Sequence, residues 1–148
     1  MAREITQEYT INSDPDSAFD ALLKPGMIQK WWYACSAIVM PEEGGIYAVT
    51  WGDDIDHPDY ISVARIAKMV KPELLLLTDF KYRSKDGALP FEADLDVEFT
   101  LEPGHFGTRL SINQRGFPDD EIADEFYNSC VQGWIDTMTS FKKVVEGK

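Results

Sequence analysis

Apolar residues in the last third of the chain fall on one helical stripe. Trp134, Met138 and Phe141 recur at steps of four and three, the spacing that keeps side chains on one face of an α-helix. Tyr127, Cys130, Val131 and Val145 extend the stripe in both directions. The pattern predicts one long C-terminal helix. Phe117-Pro118-Asp119-Asp120-Glu121 opens it, with acidic residues that complement the positive end of the helix dipole.

Upstream the period changes to alternation. Glu4 to Asn12 places Ile5, Tyr9 and Ile11 on one side and reads as an edge strand. Ser13-Asp14-Pro15-Asp16 supplies a helix start, a capping Ser or Asp with proline in the first turn. The helix that follows presents Ala18, Phe19, Leu22 and Leu23, and Lys24-Pro25-Gly26 ends it. A second short helix runs through Met27, Ile28, Trp31 and Trp32. Strands are expected near Ala34 to Met40, then at Ile46 to Trp51 after the Gly44-Gly45 turn. Tyr60 to Val70 and Leu74 to Tyr82 flank a hairpin turn at Lys71-Pro72-Glu73. Glu92 to Leu101 and Thr108 to Gly116 flank another turn at Glu102 to Gly107. Sequential strands joined by short turns predict an antiparallel meander.

The order predicts an α+β helix-grip fold. In it, a curved antiparallel sheet of about six or seven strands wraps around the long terminal helix, with two short helices after strand one. One domain over residues 1–148 is expected, since the length suits a single core and no composition shift or linker divides the chain. The net charge of −12, from 26 acidic against 14 basic residues, makes phosphate backbones and anionic membranes poor partners. No run approaches the roughly 18–20 apolar residues of a membrane span. Met1 to Thr10 has no apolar leader region, and Cys35 and Cys130 form no CxxC or Cys/His cluster. A reduced, cytoplasmic protein is the expectation.

Specific motifs agree with this order. Ile11-Asn12-Ser13-Asp14-Pro15-Asp16-Ser17-Ala18-Phe19-Asp20-Ala21-Leu22, then Trp31-Trp32, Gly44-Gly45, Gly107-Thr108-Arg109-Leu110 and Gly133-Trp134 to Phe141 together resemble the START-like (SRPBCC) superfamily. The similarity is closer to the group named after the C-terminal domain of the activator of the heat-shock-protein-90 ATPase. Met138 and Phe141 stand where that group carries leucines. Gln114 stands where it often has histidine, and Asp79 or Phe80 where it often has tryptophan. The resemblance implies the helix-grip fold with an internal cavity. Its members imply three kinds of function: small-molecule binding, cyclisation or hydrolysis of small molecules in the pocket, and a co-chaperone role toward a protein partner.

Ligand pockets are mostly apolar with a few polar groups that fix orientation. The aromatic lining candidates are Trp32, Trp51, Phe80, Phe91, Phe126 and Trp134, although each also suits a plain core role. Cys130 joins them as a buried apolar thiol on the helix stripe. In the strand Thr108, Leu110, Ile112, Gln114, the last residue shares the apolar face. An inward amide must be hydrogen-bonded by protein, water or ligand. Asp79 depends on register. With Leu75 and Leu77 inward it faces the cavity and its pKa rises by desolvation, whereas with Leu76 and Phe80 inward it faces solvent. Asp53, Asp54, Asp56 and Asp59 with His57 gather in one loop, but the calcium-loop template lacks its central glycine and terminal glutamate there. That loop reads as a solvated turn. Asp94, Asp96 and Glu98 alternate with Leu95, Val97 and Phe99 as the outer face of a half-buried strand. No catalytic motif, metal set or cofactor fingerprint is present.

The leading expectation is a cavity that binds a small hydrophobic or amphipathic molecule, oriented by Gln114 and, if inward, by Asp79. An enzyme using the same cavity ranks second and a co-chaperone module third. A homodimer is a further expectation, because symmetric dimers are the commonest assemblies.

Overall fold

The computed structural model describes residues 3–88 and 94–147. Strand β1 (Arg3–Ile11) leads into α1 (Pro15–Leu23) and α2 (Pro25–Trp31). Asp14 caps α1 by accepting from the Ser17 backbone N–H at 3.0 Å, with Pro15 in the first turn. Lys24 ends α1 and begins α2, so the two helices share one residue as a corner. Six strands then follow in meander order: β2 (Ser36–Val39), β3 (Ile46–Trp51), β4 (Tyr60–Val70), β5 (Leu74–Ser84), β7 (Asp96–Gly104) and β8 (Gly107–Phe117). A two-residue strand, β6 (Gly87–Ala88), pairs only with β5. The main sheet runs β1-β8-β7-β5-β4-β3-β2, and every pair is antiparallel. The first strand therefore closes onto the last, and α1 and α2 carry the chain from one edge of the sheet to the other.

Helix α3 (Asp124–Val145) lies against the inner face and buries Trp134, Met138 and Phe141, the stripe its periodicity predicts. It starts later than the Phe117–Glu121 opening expected from sequence. Phe117 ends β8, and Glu121–Ala123 form a single 3-10 turn. Arg3 draws this segment back to the sheet edge, donating to the Pro118 carbonyl at 2.7 Å and to Asp124 Oδ1 at 2.7 Å. Gln7 Nε2 donates to the Val131 carbonyl at 3.2 Å and so ties α3 to β1 a second time.

Two of the motif glycines have steric explanations. A Cβ on Gly45 would sit 2.1 Å from the Met40 carbonyl oxygen, and one on Gly107 would sit 2.3 Å from that of Ile11. Beside Gly107, the Thr108 hydroxyl donates to the Ser13 carbonyl at 2.7 Å, which locks β8 against the start of α1.

The sheet is curved by two irregularities in one ladder. Val63 pairs with Lys81 and Arg65 with Thr78, so Asp79 and Phe80 together oppose Ala64. Ile66 pairs with Leu77 and Lys68 with Leu76, which leaves Ala67 as the extra residue on β4. Such bulges bend a strand and increase its twist. Among the described residues, no helix is long and apolar enough to cross a membrane.

Candidate functional site

The bulge in β5 decides what faces the space under α3. Leu75 and Leu77 are buried on the inner face. Asp79 then takes φ = 57°, the left-handed region, and the strand resumes with its alternation shifted by one. Asp79, Lys81 and Arg83 are consequently exposed, while Phe80, Tyr82 and Ser84 line the inner chamber. Asp79 is thus corrected as a lining candidate: it takes the solvent-facing one of its two alternatives, on the outer face. Burial, opposed by Arg115 and aided by Asp94 and then Asp79, holds the Asp96 carboxyl above the usual range. The sequence alternatives assumed an unbroken period of two, and neither allowed Leu75, Leu77 and Phe80 all to point inward.

The chamber has a volume of about 590 Å³ and lies between the sheet and α3. Trp32, Trp51, Phe80, Gln114, Phe126, Cys130 and Trp134 line it, so these seven of the sequence candidates come together. Phe91 lies outside the described residues. The sequence reading missed Tyr60, Ser62, Tyr82, Glu125 and Gly133 among the lining residues. Tyr82 was legible only through the bulge. Gly133 carried a signal of its own, as a glycine in the middle of a strongly patterned helix.

All four tryptophans of the chain meet in one cluster, and three of them, Trp32, Trp51 and Trp134, line the chamber. Trp31 stacks on Trp32 at 4.9 Å, and Trp51 meets Trp32 edge-on at 5.4 Å. Trp134 lies 5.5 Å from Trp32, and Phe99 stands edge-on to Trp134 at 6.1 Å. Hydrogen bonds hold this wall in place. The Trp31 indole donates to the Ala21 carbonyl at 2.8 Å, and the Trp51 indole donates to the Trp32 carbonyl at 2.9 Å. Exposed Ile122, Glu125 and Tyr60 mark the open side.

Gln114 is the polar member of an otherwise apolar row across the sheet, paired with Ile5 on one side and Val97 on the other. It is 7 % exposed. Its Oε1 accepts from Trp134 Nε1–H at 2.6 Å, joining sheet to helix at the chamber wall. Nothing among the described residues accepts from its Nε2. No described side-chain nitrogen or oxygen is sealed from solvent without a partner, so this amide group opens into the chamber.

Burial acts on two titratable groups of the chamber. Burial pushes the Cys130 thiol up to about 12. Burial, with smaller contributions from Tyr60 and Cys130, pushes the Tyr82 hydroxyl up to about 12. Glu125, on the open side, is the one carboxylate among the described lining residues. The acidic loop, which joins Trp51 to Tyr60 without lining the chamber itself, is a turn closed on Asp54, which accepts from the Asp56 N–H at 2.9 Å and meets His57 Nδ1 at 3.1 Å. A second hollow of about 580 Å³ lies at the β7–β8 hairpin beside Phe106 and Arg109. Arg109 there is already engaged by Glu102 and Glu8.

Comparisons with known proteins agree with this architecture. The family model described as Activator of Hsp90 ATPase homolog 1-like protein matches residues 12–146. A structure from Mesorhizobium loti superposes with a TM-score of 0.79 at 21 % identity, covering 99 % of this chain and 98 % of that one. One from Chromobacterium violaceum gives 0.74 at 21 % identity, covering 97 % of each chain. The Aha1 dimer from Colwellia psychrerythraea gives 0.69 at 14 % identity, covering 97 % of this chain and 96 % of that one. At these identities the likeness is one of fold. No curated protein matches the chain.

Proposed function

The chain belongs to the Activator of Hsp90 ATPase homolog 1-like family, and from that premise and the chamber's geometry we propose that it binds a small hydrophobic or amphipathic molecule between sheet and C-terminal helix. The carrying observation is Gly133. Glycine in a helix interior costs about 1 kcal/mol relative to alanine, so its presence asks for a reason. A Cβ here would meet nothing within 4 Å, and the residue is not among the glycines with positive φ. Neither a close approach nor a special backbone angle explains it. Gly133 is solvent-exposed on the face of α3 that borders the chamber, so a bulky side chain there would stand at the chamber's open side. Glycine at this point leaves the border of the chamber clear, and accessible apolar space flanked by a few polar groups is what ligand sites require.

The test is a Gly133→Phe substitution read with an uncharged, environment-sensitive naphthalene dye. Wild-type protein should enhance the dye's emission saturably. G133F should lose at least about tenfold in affinity while unfolding in urea no earlier than wild type, since helix propensity improves. Equal dye binding by a folded G133F would sink the proposal. Native against denaturing mass spectrometry of gently purified protein would add the mass of any retained ligand.

A further inference from the structure

We infer that the chamber selects an uncharged ligand with a planar apolar body and a carbonyl-type acceptor, which takes its hydrogen bond from Gln114 Nε2; this rests on the chamber-binding proposal above. The orientation of the amide follows from its partner. An indole nitrogen donates and has no lone pair to accept with, so the atom 2.6 Å from Trp134 Nε1 must be the amide oxygen. Gln114 therefore presents its NH₂ end to the chamber. Two N–H groups in an apolar setting call for an acceptor, and an occupant without one leaves them desolvated and unpaired.

Charge narrows the class further. Among the described lining residues there is no lysine or arginine, Glu125 is the one carboxylate, and the protein carries a net charge of −12. A carboxylate or phosphate ligand would meet no countercharge inside and repulsion at the entrance. A cation placed beside Gln114 would face the donor side of its amide. A neutral oxygen acceptor satisfies the amide with neither penalty. Trp32, Trp51, Phe80, Tyr82 and Phe126 offer ring surfaces to the remainder of the ligand, which favours a flat apolar body.

Four naphthalenes of nearly equal size separate the possibilities: 2-acetylnaphthalene, 2-ethylnaphthalene, 2-naphthoate and 2-naphthylmethylammonium. Binding is followed by ligand-observed NMR and tryptophan quenching. The ketone should bind about three- to tenfold more tightly than the hydrocarbon, as expected for one neutral hydrogen bond, and both charged probes should bind more weakly than either. Gln114→Glu keeps an oxygen for Trp134 and replaces the NH₂ by a second oxygen. At about pH 8.5, well above an ordinary glutamate pKa, it should abolish the ketone's advantage and leave ethylnaphthalene binding in place. Gln114→Met, which removes both polar atoms, should likewise bind ketone and hydrocarbon equally. Naphthoate or the ammonium probe binding as tightly as the ketone would overturn the inference, as would a ketone preference that survives in both variants. Ethylnaphthalene binding with no ketone preference in wild type would overturn this inference alone. No binding by any probe would overturn the chamber proposal together with it.

Discussion

Because an indole N–H has no capacity to accept, the Trp134–Gln114 contact works in one direction only, and that limitation gives the chamber its chemistry. The same contact joins helix to sheet, so its loss should register in stability as well as in binding. Trp134→Phe keeps most of the ring's bulk but leaves Gln114 Oε1 without its donor at a nearly buried position. An unsatisfied acceptor of this kind costs about 1–3 kcal/mol, and urea denaturation should show a loss of that order. If the double variant with Gln114→Met loses no more than W134F alone, the two side chains act as one unit. Simple additivity would instead mean that the hydrogen bond contributes little. Cys130 makes the complementary point. Its thiol lines the chamber but is pushed up to about 12 by burial, so alkylation by iodoacetamide near neutral pH should be slow, because the thiolate is the reactive form. Rapid labelling of Cys130 at pH 7 would contradict the packing described for it.

Among the elements, β5 shows how one residue reassigns a whole face. The left-handed backbone at Asp79 costs a β-branched residue about 1–2 kcal/mol, whereas glycine adopts it freely. Asp79→Val should therefore lower stability by about that amount, and Asp79→Gly should stay within about 1 kcal/mol of wild type. Urea midpoints of the two variants test this directly. If valine is tolerated as well as glycine, the bulge is not where the register shift resides. The Asp79 carboxylate itself lies on the outer face, so a loss of the bulge would reach the chamber only through Phe80 and Tyr82. Helix α3 carries the converse case. Its one glycine is explained by the space beside it rather than by its backbone, so filling that space is expected to strengthen the helix while blocking the chamber.

For the molecule as a whole, alkaline pH is the informative axis. Cys130 and Tyr82 have pKa values near 12 in the folded protein against ordinary values of 9.0 and 10.0. Tyr47, buried with its hydroxyl donating to the Leu22 carbonyl at 2.6 Å, is raised further still by burial. Between pH 9 and 12 the unfolded chain releases these protons first, so the native state binds more protons and stability falls as pH rises. The contribution is fully present below about pH 9 and is lost through the window that ends near pH 12. Thermal unfolding at intervals from pH 8 to 11 should give a Tm that declines across the upper part of that range. A flat profile would mean that these groups are not held neutral by the fold.

The amino-acid sequence alone determined the element order, because periodicity is a local property. The stripe through Trp134, Met138 and Phe141, the Asp14 cap with Pro15, and the alternation of Leu95, Val97 and Phe99 with Asp94, Asp96 and Glu98 each need only neighbours along the chain. Most of the lining candidates were legible for the same reason, since inward alternation and a large apolar side chain together point to the space under the helix. Tertiary structure decided what alternation cannot carry. A bulge inserts one residue, and every assignment beyond it reverses face, which settled Asp79 on the outer face and brought Phe80 and Tyr82 to the chamber. The orientation of the Gln114 amide was also invisible in sequence, because it depends on an indole 20 residues away that reaches it only when α3 lies across the sheet.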